Sequence, residues 1–126
     1  MWKPALTVAA GAAFGALARW QLSVRLNALF PAIPPGTLLA NLVGAYFAGL
    51  FAAGLSQTLP AEWRLFLLTG FCGGLTTFST FSLEIATLLQ QDKPGFVFCA
   101  LTAHLIGSIV MLSAGIGTAN FLKSFF

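Results

Sequence analysis

Four long apolar runs, separated by short breaks rich in proline and polar residues, dominate the chain. They extend from about Ala5 to Leu26, Thr37 to Ser56, Trp63 to Gln91 and Gly95 to Leu122. Each is long enough to cross the hydrocarbon core, which takes about 20 helical residues. The pattern predicts an all-α integral membrane protein that forms one four-helix domain over residues 1–126. Its first run is expected to be a membrane helix and not a removable signal.

The composition agrees with a chain embedded in a lipid bilayer. Of its 126 residues, 58% are hydrophobic and 7% are charged, against roughly 25% charged in a soluble domain. The net charge of +3 is scattered along the sequence, without the basic cluster that nucleic acid requires, so no nucleic-acid partner is expected. Cys72 and Cys99 lie in apolar runs without metal-ligand spacing and are expected to be packing residues.

The third run is too long for one straight membrane helix. From Trp63 to Gln91, about 29 residues would span roughly 43 Å at about 1.5 Å per residue, whereas the hydrocarbon core is about 30 Å thick. Gly73 and Gly74 lie near its middle, and glycine tolerates the backbone angles that an interruption needs. We therefore expect a discontinuous third helix, broken between about Gly73 and Thr77.

Small residues at intervals of four indicate the expected helix contacts, because they let backbones approach closely in lipid. Gly11 and Gly15 form such a pair in the first run, and Ala103 and Gly107 form one in the fourth. The second run carries a longer row, Asn41, Ala45, Gly49 and Ala53.

The basic residues give no clear orientation in the membrane. With four spans, three fall on the side that holds both termini and three on or toward the other side: Lys3, Arg64 and Lys123 against Arg19, Arg25 and Lys93. Orientation normally follows an excess of Lys and Arg in cytoplasmic loops. The even split predicts insertion in both orientations and an antiparallel homodimer with an in-plane twofold axis, unless a weak bias sets one orientation.

The residue types argue against an enzyme. The chain has one histidine, His104, and three acids, of which Glu62 and Asp92 lie in loops and Glu84 in the third run. No nucleophile–base pair or metal-ligand spacing occurs among them. His104 is expected to form an interhelical hydrogen bond or to line a pathway. Glu84 is open to three roles, as a proton carrier, a helix cap or a hydroxyl acceptor.

Uncharged hydrogen-bond donors lie within the apolar runs, where polar residues are by default a sign of a functional site. Such donors suit a small, strongly hydrated anion, because they replace its lost water. Phe78 and Phe81, which share a helix face with Glu84, present either a positive ring edge to that anion or simple packing surface. The donors are Thr37, Asn41, Ser79, Thr80, Ser82 and Ser108.

A broken helix also frees backbone carbonyls that can coordinate a cation. Gly73 and Thr76 flank the expected break. Two carbonyls are too few ligands for a hard cation, but a second protomer on a dimer axis would double their number.

Three segments resemble the Fluc (CrcB-like) family of fluoride channels. The most specific is GGLTTFSTFS at residues 73–82, followed by Glu84; the others are GALARW at 15–20 and GTLLANLVG at 36–44. Their order and spacing and the total length match over essentially the whole chain.

The resemblance implies passive export of fluoride across a prokaryotic inner membrane. It implies a dual-topology antiparallel homodimer with two fluoride pores and a structural sodium ion on the central axis. Residue by residue, it assigns Phe78, Phe81 and Asn41 to the pore, Ser79, Thr80 and Ser82 to a polar track that ends near Glu84, Arg19 to a first-helix arginine, and the carbonyls of Gly73 and Thr76 to sodium.

One departure from the family pattern concerns the fourth helix. Many relatives carry a tyrosine early in that helix, whereas the corresponding position here is Ala100, with His104 one turn later. Two rival interpretations are a small multidrug-resistance transporter and a non-transporting assembly subunit. The first depends on a glutamate in the first helix, and this first helix has no acid.

Overall fold

The computed structural model describes residues 2–54 and 58–126, which are almost entirely helical and contain no strand. Short turns separate the helices, and the third apolar run is divided into four consecutive parts. The elements are α1 (Trp2–Leu26), a 3-10 turn (Asn27–Leu29), α2 (Pro35–Gly54), α3 (Ala61–Arg64), a π-helical stretch (Leu65–Cys72), α4 (Gly73–Leu75), α5 (Phe78–Gln90) and α6 (Pro94–Lys123).

Within the described residues, three helical stretches are long and apolar enough to cross a membrane. They are Pro35–Gly54, Ala61–Gln90 and Pro94–Lys123. To that extent the prediction of an all-α membrane protein is confirmed. Helix α1, which carries Lys3, Arg19 and Arg25, is not among the three. The predicted end of the second run, Ser56, lies outside the described residues.

Glycines bring α1 into backbone contact with the stretch 65–75. A Cβ atom on Gly70 would lie 2.7 Å from the carbonyl oxygen of Val8, and one on Gly74 would lie 2.5 Å from that of Ala12. From the α1 side, a Cβ atom on Gly11 or Gly15 would collide with backbone carbonyls of the facing stretch. The predicted glycine pair of α1 therefore meets a second pair, Gly70 and Gly74, which the sequence did not predict as a packing pair.

A similar contact joins α2 to α6. A Cβ atom on Gly49 would collide with the carbonyl oxygen of Leu112, and one on Gly115 would lie 2.8 Å from the backbone nitrogen of Leu50. Gly49 belongs to the predicted row of small residues, whereas Gly115 was not predicted. The predicted Gly107 faces only a side chain, since its Cβ atom would lie 2.9 Å from Cδ2 of Leu42.

The third run is interrupted at Thr76 and Thr77, at the end of the predicted range. Both residues are extended, with φ −84° and ψ 154° at Thr76 and φ −150° and ψ 117° at Thr77. The expected cause was wrong, because Gly73 is helical at φ −63° and ψ −38° and no described glycine has a positive φ. The break falls on β-branched residues, which favour extended backbone, while Gly74 serves the contact with α1.

Candidate functional site

Side chains from α1 and α2 hold the backbone at the break. Thr77 donates its N–H to Oδ1 of Asn41 at 2.7 Å, and Nδ2 of Asn41 donates back to the Thr77 carbonyl at 3.1 Å. Arg19 of α1 donates from Nε to the carbonyl of Gly74 at 3.1 Å. In a bilayer core, unpaired backbone groups are costly, so these bonds make the irregular segment tolerable there.

The start of α5 is capped from within the break. Thr77 occupies the N-cap position, and its hydroxyl accepts the N–H of Thr80 at 3.1 Å. A threonine at this position satisfies one of the amide groups that a helix start leaves without a partner. Helix α5 therefore begins at a defined residue although the chain before it is extended.

Both carbonyls that were predicted to hold a cation lose their helical donors as a result. In an unbroken helix, Gly73 and Thr76 would accept from the amides of Thr77 and Thr80. Those amides instead donate to Asn41 and to the Thr77 side chain. Gly73 is exposed and Thr76 is half-buried, so the two carbonyls predicted to hold a cation are among those that lose a helical donor at the break. In the described part of the chain, no cluster of three or more His, Cys, Asp or Glu side chains is placed to bind a metal.

A buried polar pair lies beside the break. Asn41 of α2 and His104 of α6 are 8% and 3% exposed, and Nδ2 of Asn41 lies 3.0 Å from Nδ1 of His104. Among the described residues, Nε2 of His104 has no hydrogen-bond partner. The predicted interhelical hydrogen bond of His104 is thus present, and the other ring nitrogen is left over.

Two phenylalanines complete this site. The ring of Phe81 is buried and its centroid lies 4.5 Å from that of the His104 ring. The ring of Phe78 is 72% exposed and meets Phe81 edge to face, with centroids 5.6 Å apart and planes at 67°. A cavity of about 350 Å³ opens here, and its lining includes Asn41, Thr77, Phe78, Phe81, His104 and Ser108.

A second polar network joins α2 to the middle of α5. Thr37, which is fully buried, donates its hydroxyl to Oε2 of Glu84 at 2.7 Å. Its N–H donates to Oδ1 of Asn27 at 3.1 Å. A cavity of about 390 Å³ lies beside this network, lined among others by Thr80, Glu84, Gln91 and Lys93. Of the three roles open to Glu84, the structure contains the hydroxyl acceptor.

The sequence profile of the family described as "CrcB-like protein, Camphor Resistance (CrcB)" matches residues 6–116. The chain belongs to this CrcB-like family. Three curated relatives from bacteria are each named "Fluoride-specific ion channel FluC". The protein from Pseudomonas paraeruginosa is 52% identical over 124 residues, covering 97% of this chain and 98% of its own. That from Nitrosomonas europaea is 49% identical over 126 residues, covering 98% and 99%, and that from Chromobacterium violaceum is 52% identical over 125 residues, covering 98% and 99%.

Family membership and the apolar helices together make this CrcB-like chain a multi-pass membrane protein of bacterial type. Its relatives are named as ion channels, which are not enzymes. The predicted family and the predicted absence of enzymatic activity agree with these findings.

The CrcB-like structure brings most of the predicted site residues together in two places. Asn41, Phe78, Phe81, His104 and Ser108 border the first cavity, whereas Thr80 and Glu84 border the second, where Glu84 bonds Thr37. Two predicted donors lie elsewhere on the exposed side of α5. The hydroxyl of Ser82 donates to the carbonyl of Phe78 at 2.9 Å, and that of Ser79 pairs with the Thr77 hydroxyl at 3.3 Å.

Sequence reasoning missed two residues that organise this CrcB-like site. Thr77 forms bonds with both its backbone and its side chain, and a threonine directly before a helical run is a recognisable N-cap signal. Asn27 bonds the start of α2 from the end of the first apolar run. Its role depends on a tertiary contact between two helices, which no local pattern encodes.

Proposed function

We propose that the chain is a fluoride-selective ion channel that lets cytoplasmic fluoride leave passively down its electrochemical gradient. The observation that carries the proposal is the combination of a buried polar pair, Asn41 and His104, with two phenylalanine rings, Phe78 and Phe81, beside a helix break. It occurs in a chain about half identical to proteins named as fluoride-specific channels. The small multidrug-resistance alternative is not favoured, since the relatives are named as fluoride channels and the first run lacks an acid.

The site chemistry suits an anion that must shed its water. An unpaired ion in a low-dielectric interior is very costly, so conduction requires protein donors in place of water. Asn41, His104 and Ser108 are polar residues that border the first cavity, and Phe78 and Phe81, whose ring edges carry positive potential, border it as well.

The path continues toward the second cavity in this proposal. Thr80 lies on α5 between Phe78 and Glu84 and borders the second cavity, while Ser79 and Ser82 are polar residues on the exposed side of the same helix. In this proposal the path ends near Glu84, which accepts a hydrogen bond from Thr37. Arg19 stabilises the break through its hydrogen bond to the Gly74 carbonyl. No energy source is needed, because an inside-negative potential favours anion exit by about 2.3 kcal/mol per 100 mV.

The proposed assembly is an antiparallel homodimer of four-span protomers with two pores and a sodium ion on its axis. The even split of basic residues supports insertion in both orientations. The exposed Gly73 and the half-buried Thr76, whose carbonyls lack helical donors, support a cation site that two protomers complete. The exposed ring of Phe78 supports a pore wall that is finished by the partner.

Ion flux from liposomes tests the channel. Purified protein is reconstituted into vesicles loaded with potassium fluoride or potassium chloride, and efflux is started with a potassium ionophore and followed with ion-selective electrodes. We expect rapid fluoride release and retention of chloride, with protein-free vesicles as the control. Equal release of both anions, or retention of both, contradicts the proposal.

The assembly has a separate test. In a Cys72→Ala and Cys99→Ala background, a cysteine engineered at the C-terminus is exposed to a membrane-impermeant thiol reagent in sealed vesicles. Dual topology predicts that about half of the protein is labelled before permeabilisation and the rest after it. Replacing sodium by N-methylglucamine is expected to lower the melting temperature of the dimer. Labelling from one side only would contradict the antiparallel dimer. An unchanged melting temperature would contradict the sodium site.

A further inference from the structure

The hydrogen bonds of Asn41 determine which of its amide atoms is which. Oxygen and nitrogen of an amide are assigned from their partners, and here both partners belong to Thr77. The Thr77 N–H needs an acceptor and lies 2.7 Å from Oδ1, while the Thr77 carbonyl needs a donor and lies 3.1 Å from Nδ2. Since both bonds require the same orientation, Nδ2 is the atom that faces His104.

That orientation determines the tautomer of His104. An amide nitrogen only donates hydrogen bonds, so Nδ1 of His104, 3.0 Å from Nδ2 of Asn41, must be the acceptor. An imidazole that accepts at Nδ1 is neutral and carries its proton on Nε2. The single ring N–H of His104 is therefore at Nε2.

This N–H is a buried donor without a partner. His104 is 3% exposed, and Nε2 has no hydrogen-bond partner among the described residues. Native proteins satisfy nearly all buried polar groups, and an exception calls for an explanation such as a bound ion or water. The imidazole stacks beside Phe81 and borders the first cavity, where Phe78 and Ser108 also lie.

Asn41 differs from His104 in having no donor to spare. Its nitrogen carries two N–H groups, and two acceptors, the Thr77 carbonyl and Nδ1 of His104, lie within hydrogen-bond distance. Its oxygen already accepts from the Thr77 amide. The free donor of the pair is consequently on His104.

We propose that the Nε2–H of His104 is the group that contacts the permeating anion in the first cavity, and that Asn41 is a positioning residue. Asn41 holds His104 in the tautomer that keeps this donor free, and at the same time it fixes the break through Thr77. The proposal rests on the proposed function and names the donor within that pore.

Nuclear magnetic resonance of the one histidine in the chain tests the tautomer directly. The untagged protein is labelled with ¹⁵N-histidine, so that every imidazole signal belongs to His104, and long-range ¹H–¹⁵N correlation identifies the protonated nitrogen. We expect a proton on Nε2, and a shift of that resonance when sodium fluoride, but not sodium chloride, is added at equal ionic strength. A proton on Nδ1, an imidazolium at neutral pH, or no response to saturating fluoride overturns the proposal.

Two amide substitutions separate the donor from the positioning contact. In His104→Gln the amide nitrogen reaches the place of Nε2, whereas in His104→Asn the amide reaches only that of Nδ1 and keeps an acceptor for Asn41. We expect His104→Asn to lower fluoride flux about tenfold or more, the effect of losing a hydrogen bond to a charged group. His104→Gln is expected to retain flux within about threefold, because it supplies a donor there.

The controls keep this result distinct from a failure of the proposed function. If the wild-type protein passes no fluoride, the channel itself is refuted. If the wild type conducts and the Asn and Gln variants conduct equally, the donor role of His104 is refuted while the channel stands. A variant that does not elute as the wild-type species is set aside, and the resonance of the wild-type histidine then decides.

Discussion

The two halves of the third apolar run show how one segment is divided between structure and function. Residues 61–75 lie against α1 through Gly70 and Gly74, with backbone against backbone. Residues 78–90 make few such contacts, and of their side chains only Phe81 and Leu88 are buried. The first half is held mainly by close backbone contact at glycines, whereas the second presents hydroxyls, rings and a carboxylate to cavities. Residues of one apolar run can therefore have different roles.

Thr76 and Thr77, which lie between the two halves, connect them structurally. Thr76 and Thr77 are extended, and Asn41 bonds both backbone groups of Thr77. The halves are thus joined through α2 as well as through the chain. A change in one half should leave the other largely intact, and this expectation can be tested from both sides.

The largest expected effect comes from the second half. Replacing Phe78 and Phe81 together by isoleucine removes the positive ring edges but keeps apolar bulk, and we expect fluoride flux to fall about 10- to 100-fold. The variant should elute as the wild-type protein does on size-exclusion chromatography. Liposome efflux is the measurement.

A matched substitution checks that the loss is specific to the pore. Phe98 of α6 is 71% exposed, almost the same as Phe78 at 72%, so Phe98→Ile tests the removal of an exposed ring outside the site. It should leave flux unchanged. If Phe78→Ile and Phe98→Ile behave alike, the Phe78 ring is packing surface and its assignment to the pore is wrong.

A smaller effect on conduction but a clear one on stability is expected from the first half. In Gly15→Ala the added Cβ atom would lie 2.7 Å from the Leu75 nitrogen and 3.0 Å from the Gly74 carbonyl carbon. Overpacking of this kind typically costs about 1–3 kcal/mol. We expect a lower melting temperature in detergent, with fluoride selectivity retained in the folded fraction.

Gly117→Ala is the control for that variant. Gly117 lies in α6 with no atom within 4 Å of an added Cβ atom, and alanine is favoured over glycine in a helix by up to about 1 kcal/mol. Its melting temperature should be equal or higher. Equal losses in Gly15→Ala and Gly117→Ala would show that the close contact with α1 does not hold the first half.

Much of this arrangement follows from local pattern. Apolar run length predicted the helices, and the length of the third run predicted its interruption. Polar residues in apolar surroundings predicted Asn41, Thr37 and Glu84 as members of a site. These signals are readable because the bilayer penalises every exception to apolarity.

Other features arise only when helices meet. The break was attributed to glycine conformation, but it lies at Thr76 and Thr77 because Asn41 offers partners for that backbone. The packing role of Gly70 and Gly74 depends on the glycine pair that faces them in α1. The alignment of Asn41 with His104, 63 positions apart in sequence, is likewise a product of packing between α2 and α6.

The glycine contact between α1 and residues 65–75 has a consequence for how this sequence can change over time. Where two side chains meet, a larger residue on one helix can be matched by a smaller one on the other. Between two bare backbones no such exchange exists, since neither side has an atom to give up. Gly11, Gly15, Gly70 and Gly74 should therefore be conserved together, while an exposed neighbour such as Leu17 is free to vary among apolar residues.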